Sequence, residues 1–180
     1  MYYKAPYRRS LIFCLILRFF LAFLGCSQPL PLLSLLPLSS FSADSSHSDV
    51  STASRSRLFQ EDDDLDGSRA GWIADPDSTS LWIQVDLFHS YLATSVATRG
   101  RSNQNLWVES YTLQYSVDAS TWHAVVDASG SDVTFVANSN DDDIVENTFG
   151  PIVARYVRLN VVTWHRSPAL RWEVYGWLEG

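Results

Sequence analysis

Few side chains in this sequence are arranged for covalent chemistry. The acidic run 61–67, EDDDLDG, sets Asp62, Asp64, Asp66 and Gly67 at the spacing that opens an EF-hand calcium loop. The twelfth loop position would be Ile73, where that loop needs a bidentate glutamate, and no helical period flanks the run, so an EF-hand is excluded. A second acidic run, 140–147, carries Asp141, Asp142, Asp143 and Glu146. Adjacent carboxylates repel one another and point at water. The four histidines, His47, His89, His123 and His165, lack metal-ligand spacing. No G-x-S-x-G, H-E-x-x-H or glycine-rich phosphate loop occurs. What remains is recognition chemistry. In TRGRSNQNLW, 98–107, the donors and acceptors of Arg99, Arg101, Asn103, Gln104 and Asn105 adjoin Leu106 and Trp107. Polar groups beside an aromatic face are what a sugar site requires. The competing reading is a solvated loop with Trp107 opening a core strand.

The elements that would position these loops read as strands. LWIQVDL, 81–87, puts Leu81, Ile83, Val85 and Leu87 on one face and Trp82, Gln84 and Asp86 on the other. YTLQYSV, 111–117, alternates in the same way. TWHAVV, VTFVA, ARYVRLNVV and LRWEVYG follow, broken by DAS, ASGSD and NSNDDD. Many short strands with turn signals between them indicate an all-β sandwich or barrel. Seven Trp, eight Tyr and nine Phe supply a core of adequate size.

The N-terminus differs in kind. Lys4, Arg8 and Arg9 precede the apolar run 11–25, interrupted by Arg18, which is the pattern of a secretory signal with cleavage expected after Ser27. Fifteen residues are short for a bilayer span, which needs roughly 20. Residues 28–39 hold three prolines and read as a linker or lead-in. Loss of residues 1–27 removes four bases and no acid, moving the formal charge from −7 to −11. Such a domain repels nucleic acid and anionic membranes. Cys14 and Cys26 fall in and beside the signal, so the domain forms no internal disulfide.

WIQVDL (82–87), SVATRGR (95–101), WVESYTLQYSVDASTW (107–122), VENTFGPIVARYVRL (145–159) and LRWEVYG (170–176) together resemble the discoidin, or coagulation factor V/VIII type C, domain, over roughly residues 40–177. The resemblance implies an eight-stranded jelly-roll β-sandwich of the galactose-binding-like class, extracellular and non-catalytic, with ligand loops at one end. Members bind glycans, anionic phospholipid, collagen or peptide C-termini. A glycan is the expected ligand here, in cell adhesion, with phospholipid or a protein partner as the alternatives. The resemblance places His47 and Asp49 in the first ligand loop, Asp77 in the loop where peptide-binding relatives carry an acid, and Arg99, Arg101, Asn103, Asn105 and Trp107 in a protruding loop. It also suggests a looser structural calcium site using Asp66 and Glu173.

The family normally closes with a disulfide. Here Cys26 matches the opening cysteine, but Trp177 follows Gly176 where its partner belongs. Losing a bridge over so long a loop removes about 2–5 kcal/mol. Strand parity in 152–161 embeds arginines among apolar residues, and embedded arginines need acceptors. Arg158 or Arg171 is therefore expected to pair with Asp86 or Glu173, with Trp82 and Trp164 as structural aromatics.

Overall fold

The computed structural model describes residues 28–62, 69–75, 77–101 and 104–179. The expected signal peptide, Cys26, Asp66 and Asn103 lie outside the described residues. The chain is all-β, with nine strands among the described residues: β1 (Leu30–Pro31), β2 (Phe41–Ala43), β3 (Trp72–Ile73), β4 (Trp82–Arg99), β5 (Trp107–Ser116), β6 (His123–Ala124), β7 (Phe135–Val136), β8 (Val145–His165) and β9 (Ala169–Leu178). The main path runs β1-β9-β4-β8-β5-β6; β2 joins β4, β3 joins β9 and β7 joins β5, all antiparallel. Three short 3-10 turns, Leu38–Ser40, Asp49–Ser51 and Ala53–Arg55, precede β3.

Alternation in the sequence becomes alternation in burial. Ile83, Val85 and Leu87 of β4 and Tyr111 and Leu113 of β5 face the core, with Leu159, Leu170, Trp72 and Trp172. Each such aliphatic side chain, fully removed from water, contributes about 1.5–3 kcal/mol.

β4 and β8 are too long to lie straight, and both turn at one corner. Pairing runs from Trp82↔Asn160 to Asp86↔Tyr156 and resumes at Tyr91↔Ala154. Leu87–Ser90 therefore lie opposite Arg155 alone. Arg155 grips the Asp86 carboxylate with Nε and Nη2, each at 2.9 Å. The same carboxylate accepts the amide of Phe88 at 2.7 Å, and Phe88 takes a left-handed φ of 64°. The guanidinium beside Asp86 holds its carboxyl below the usual range. The corner also breaks side-chain parity: Ala154 and Val157 both face the core, so the two-residue alternation expected across 152–161 does not continue through Arg155.

The arginine pairing expected from sequence is corrected here. Asp86 takes Arg155. Arg158 instead lies between two indoles, 4.4 Å from the Trp82 ring centre and 3.9 Å from that of Trp122, with Nε and Nη2 both donating to Gln84 Oε1 at 3.1 and 2.8 Å. Arg171, buried, donates to the carbonyls of Gly100 (2.9 Å) and Gln60 (3.3 Å). Among the described residues neither forms an ion pair with an acid; the bend turns Arg155 toward Asp86 and leaves Arg158 over the amide of Gln84. Trp164 is half-buried opposite Val108 on β5.

The stretch expected to be a linker or lead-in packs on the sheet. β1 pairs with the end of β9, Leu30 opposite Gly176, and Leu33 is fully buried. Glu173 holds this strap. Its Oε1 accepts Leu33 N at 2.6 Å and Val174 N at 3.1 Å, and its Oε2 accepts Ser34 Oγ at 2.6 Å. Arg57 donates to the carbonyls of Leu33 and Leu36 on the same strap. Burial pushes the Glu173 carboxyl up to about 7 against the pull of these donors and of Arg57. Both Glu173 oxygens serve the strap and the side chain is shut from solvent, so Glu173 has a structural role here, while Asp66, its expected calcium partner, lies outside the described residues. Gly176 is required where β9 crosses β4, since a Cβ there would stand 2.4 Å from Leu92 O.

Candidate functional site

Because β4 and β8 both turn at the Asp86–Arg155 corner, the two ends of β8 return to the same end of the sandwich. The loops 44–52, 74–80, 100–106, 137–144 and 165–168 gather there. Asp44 ties the first two, accepting Trp82 N at 3.0 Å and Ser78 Oγ at 2.6 Å. Ser45 O accepts Trp72 Nε1 at 2.8 Å and Ser45 Oγ accepts Asp75 N at 3.1 Å. Ala74 N reaches Pro168 O at 2.9 Å, which joins the last loop to this group.

The loop 100–106 is fastened from below. Gly100 packs so closely that a Cβ would lie 2.6 Å from Asp141 Cα. Arg101 N donates to Leu106 O at 2.9 Å and closes the loop base. The Arg101 side chain turns inward, 3% exposed, and Nη1 donates to Ser51 Oγ at 2.7 Å. Burial lowers its guanidinium pKa. Arg99 forms an ion pair with Asp142 and donates from Nε to Asp142 O at 2.6 Å. The two arginines expected as free ligand donors are thus committed to the scaffold. The reason is local: Arg99 ends β4 beside the 137–144 loop, and Arg101 points under Asp49–Ser51.

Asn105 and Trp107 have a different fate. Asn105 is exposed with a left-handed φ of 57°. Its amide donates to Asp141 Oδ2 at 3.0 Å, and its Nδ2 makes a long 3.5 Å contact with His165 Nε2. Trp107 is nearly buried, and its ring stacks on His165 at 4.0 Å between centroids and 9° between planes. One residue later Arg166 is exposed, with φ 62°. His47, Asp49 and Asp77 are exposed on the neighbouring loops, as are Asp75, Asp142 and Asp143. The end as a whole is acidic.

The tertiary structure therefore brings together Asn105, Trp107, His165 and Asp141, with Arg166 beside them. His165, Asp141 and Arg166 were missed from sequence. His165 lies 60 residues from Asn105, and only the doubled-back course of β8 joins them. The one sequence signal was the run WHRSP, polar residues interrupting an apolar strand just before β9. Among the described residues no group of three or more His, Cys, Asp or Glu is placed to hold a metal ion.

A bent antiparallel sandwich with polar and aromatic residues gathered on loops at one end defines a ligand-binding module. The sequence profile of the F5/8 type C domain matches residues 42–174, and the chain belongs to that family. In general the domains of this family are non-catalytic binding modules. Among curated proteins the chain is 33% identical to retinoschisin of Takifugu rubripes over 110 residues, covering 60% of this chain and 39% of that protein. It is 34% identical to neuropilin-2 of Homo sapiens over 131 residues, covering 70% of this chain and 14% of that protein. The chain thus spans well under half of these relatives. Among solved structures it resembles discoidin II of Dictyostelium discoideum, with a TM-score of 0.72, 22% identity, and coverage of 84% of this chain and 60% of that one. It also resembles a module of Clostridium perfringens solved with GalNAc-β-1,3-galactose, with a TM-score of 0.61, 18% identity, and coverage of 78% and 99%. At these identities the likeness is one of fold.

Proposed function

We propose that the loop end is a carbohydrate-binding site, and that the protein is a secreted, lectin-like adhesion module that acts by binding alone. The observation that carries this reading is the Asn105–His165–Trp107 group: amide donors and acceptors beside a stacked ring pair, with the Asp141 carboxylate adjoining. That set matches the alternating hydroxyl and apolar surface of a sugar. The Clostridium perfringens module solved with a disaccharide supports it, as does the likeness to a chitosan-binding module of Paenibacillus. Anionic phospholipid is the weaker reading, since Leu106 is half-buried instead of protruding and the surrounding loops are acidic. Exposed Asp75 and Asp77 favour, as a second reading, a basic peptide end.

The test is a printed glycan array probed with residues 28–180, with and without calcium, alongside Asn105→Ala and His165→Ala. Hits that weaken at least ten-fold in both variants, at unchanged melting temperature, would support the site. Hits that survive both changes would refute it. Secretion is checked by expressing the full chain in a eukaryotic host and sequencing the N-terminus of the exported form.

A further inference from the structure

The turn between β8 and β9 is conformationally unusual. Ser167 N donates to His165 O at 2.7 Å, a hydrogen bond spanning two residues, and the residue between them has φ 62°. That is the pattern of a γ-turn of the rare, strained hand. Its centre is an arginine, a residue that takes positive φ only against steric resistance. Glycine would sit there freely. Such outliers persist where the surrounding structure over-determines them, and they gather at binding sites.

The surroundings of Arg166 supply the second half of the case. Arg99 is bound to Asp142 and Arg101 is buried against Ser51. Arg166 is exposed, and among the described residues no carboxylate pairs with it. It follows His165 directly and so stands next to the Trp107–His165 stack and the neighbouring loop tip at Asn105, itself at φ 57°. Two left-handed, non-glycine residues thus occupy adjoining loop tips, joined through one imidazole.

We propose that Arg166 is a specificity-determining ligand contact, its guanidinium fork donating to two neighbouring oxygens of a neutral sugar seated on the Asn105–His165–Trp107 group. This rests on the reading of the loop end as a glycan site. A neutral sugar is specified because Asp141, Asp142 and Asp143 stand close by and repel an acidic one, while offering acceptors for the remaining hydroxyls. A planar fork suits a pair of oxygens in a way that a lysine ammonium does not.

The experiment compares Arg166→Gly, Arg166→Lys and Asn105→Ala with the unaltered protein, by thermal unfolding and by the same glycan array with calorimetry on its hits. Arg166→Gly is expected to melt a few degrees higher, through relief of the turn, yet to bind the hits at least ten-fold more weakly. Arg166→Lys should keep the charge and still lose most of the affinity. If Arg166→Gly binds as well as the unaltered protein while Asn105→Ala does not, this proposal is overturned and the glycan site stands. If the unaltered protein binds nothing on the array, the glycan reading falls and takes this inference with it. A melting temperature lowered by Arg166→Gly would show that the turn is unstrained and would also overturn it.

Discussion

Replacing Glu173 with glutamine should make this protein more stable at mildly alkaline pH, although it removes the charge from a residue with three hydrogen-bond donors. Burial raises the Glu173 carboxyl from 4.5 to about 7. A raised folded-state pKa means that the fold favours the protonated form. The contribution of this group to stability is then fully present below pH 4.5 and declines as pH rises toward 7. Above that it is a constant penalty, since a carboxylate must be kept ionised out of water. A shift of that size corresponds to roughly 3 kcal/mol, at about 1.4 kcal/mol per pH unit. Glutamine is nearly isosteric. Its carbonyl can keep Leu33 N and Val174 N, and its amide can donate to Ser34 Oγ once that hydroxyl rotates. Urea unfolding of both forms from pH 4.5 to 8.5 would read the difference. The expected result is equal stability near pH 4.5, a divergence through the 5–7 range, and an advantage of about 2–3 kcal/mol for Glu173→Gln at pH 8. A variant less stable than the parent at pH 8 would refute the reasoning. It would show that Leu33 N, Ser34 Oγ, Val174 N and Arg57 together hold the ionised form more strongly than burial opposes it.

The remaining expectations concern the scaffold. Asp86→Asn should lower the melting temperature by a few degrees near neutrality. The deficit should shrink as pH falls through the depressed pKa of Asp86, where the parent loses the Arg155 pair as well; a deficit constant down to pH 2 would contradict this. Gly176→Ala should prevent proper closure of β9 on β4, because Leu92 O leaves no room for a Cβ, and its measure is the yield of soluble folded protein. Arg101→Ala should cost about 2 kcal/mol and raise amide exchange across Asp49–Ser51, since Ser51 Oγ loses its charged donor. Unchanged exchange there would mean the turn holds itself.

Much of the fold was legible in the residues. Alternation in LWIQVDL and YTLQYSV set which faces of β4 and β5 are buried, because a strand's side chains alternate whatever lies beyond it. The five ordered motifs carried the family. The candidate site was legible only as a region. Asn105 and Trp107 were found in it, whereas Arg99 and Arg101 proved to be fasteners and His165 was not expected there at all. The reason is that the sequence offers polar residues without their partners. Whether an arginine is free or bound depends on which chain segment packs beside it.

The sequence by itself determined that this chain holds an all-β domain of the F5/8 type C family, since strand period, turn residues and the ordered motifs are local properties. Only the tertiary structure decided how that module is closed and aimed. The corner at Asp86 and Arg155 shifts register by several residues, breaks parity in β8 and brings the ends of β8 together. That shift chose Arg155 over Arg158 as the partner of Asp86. It set His165 against Trp107 across 58 residues of chain. Glu173, buried in β9, holds the strap through Leu33 and Ser34, 140 and 139 residues away in the chain. Each of these depends on the course of a bent strand through space, which local alternation does not encode.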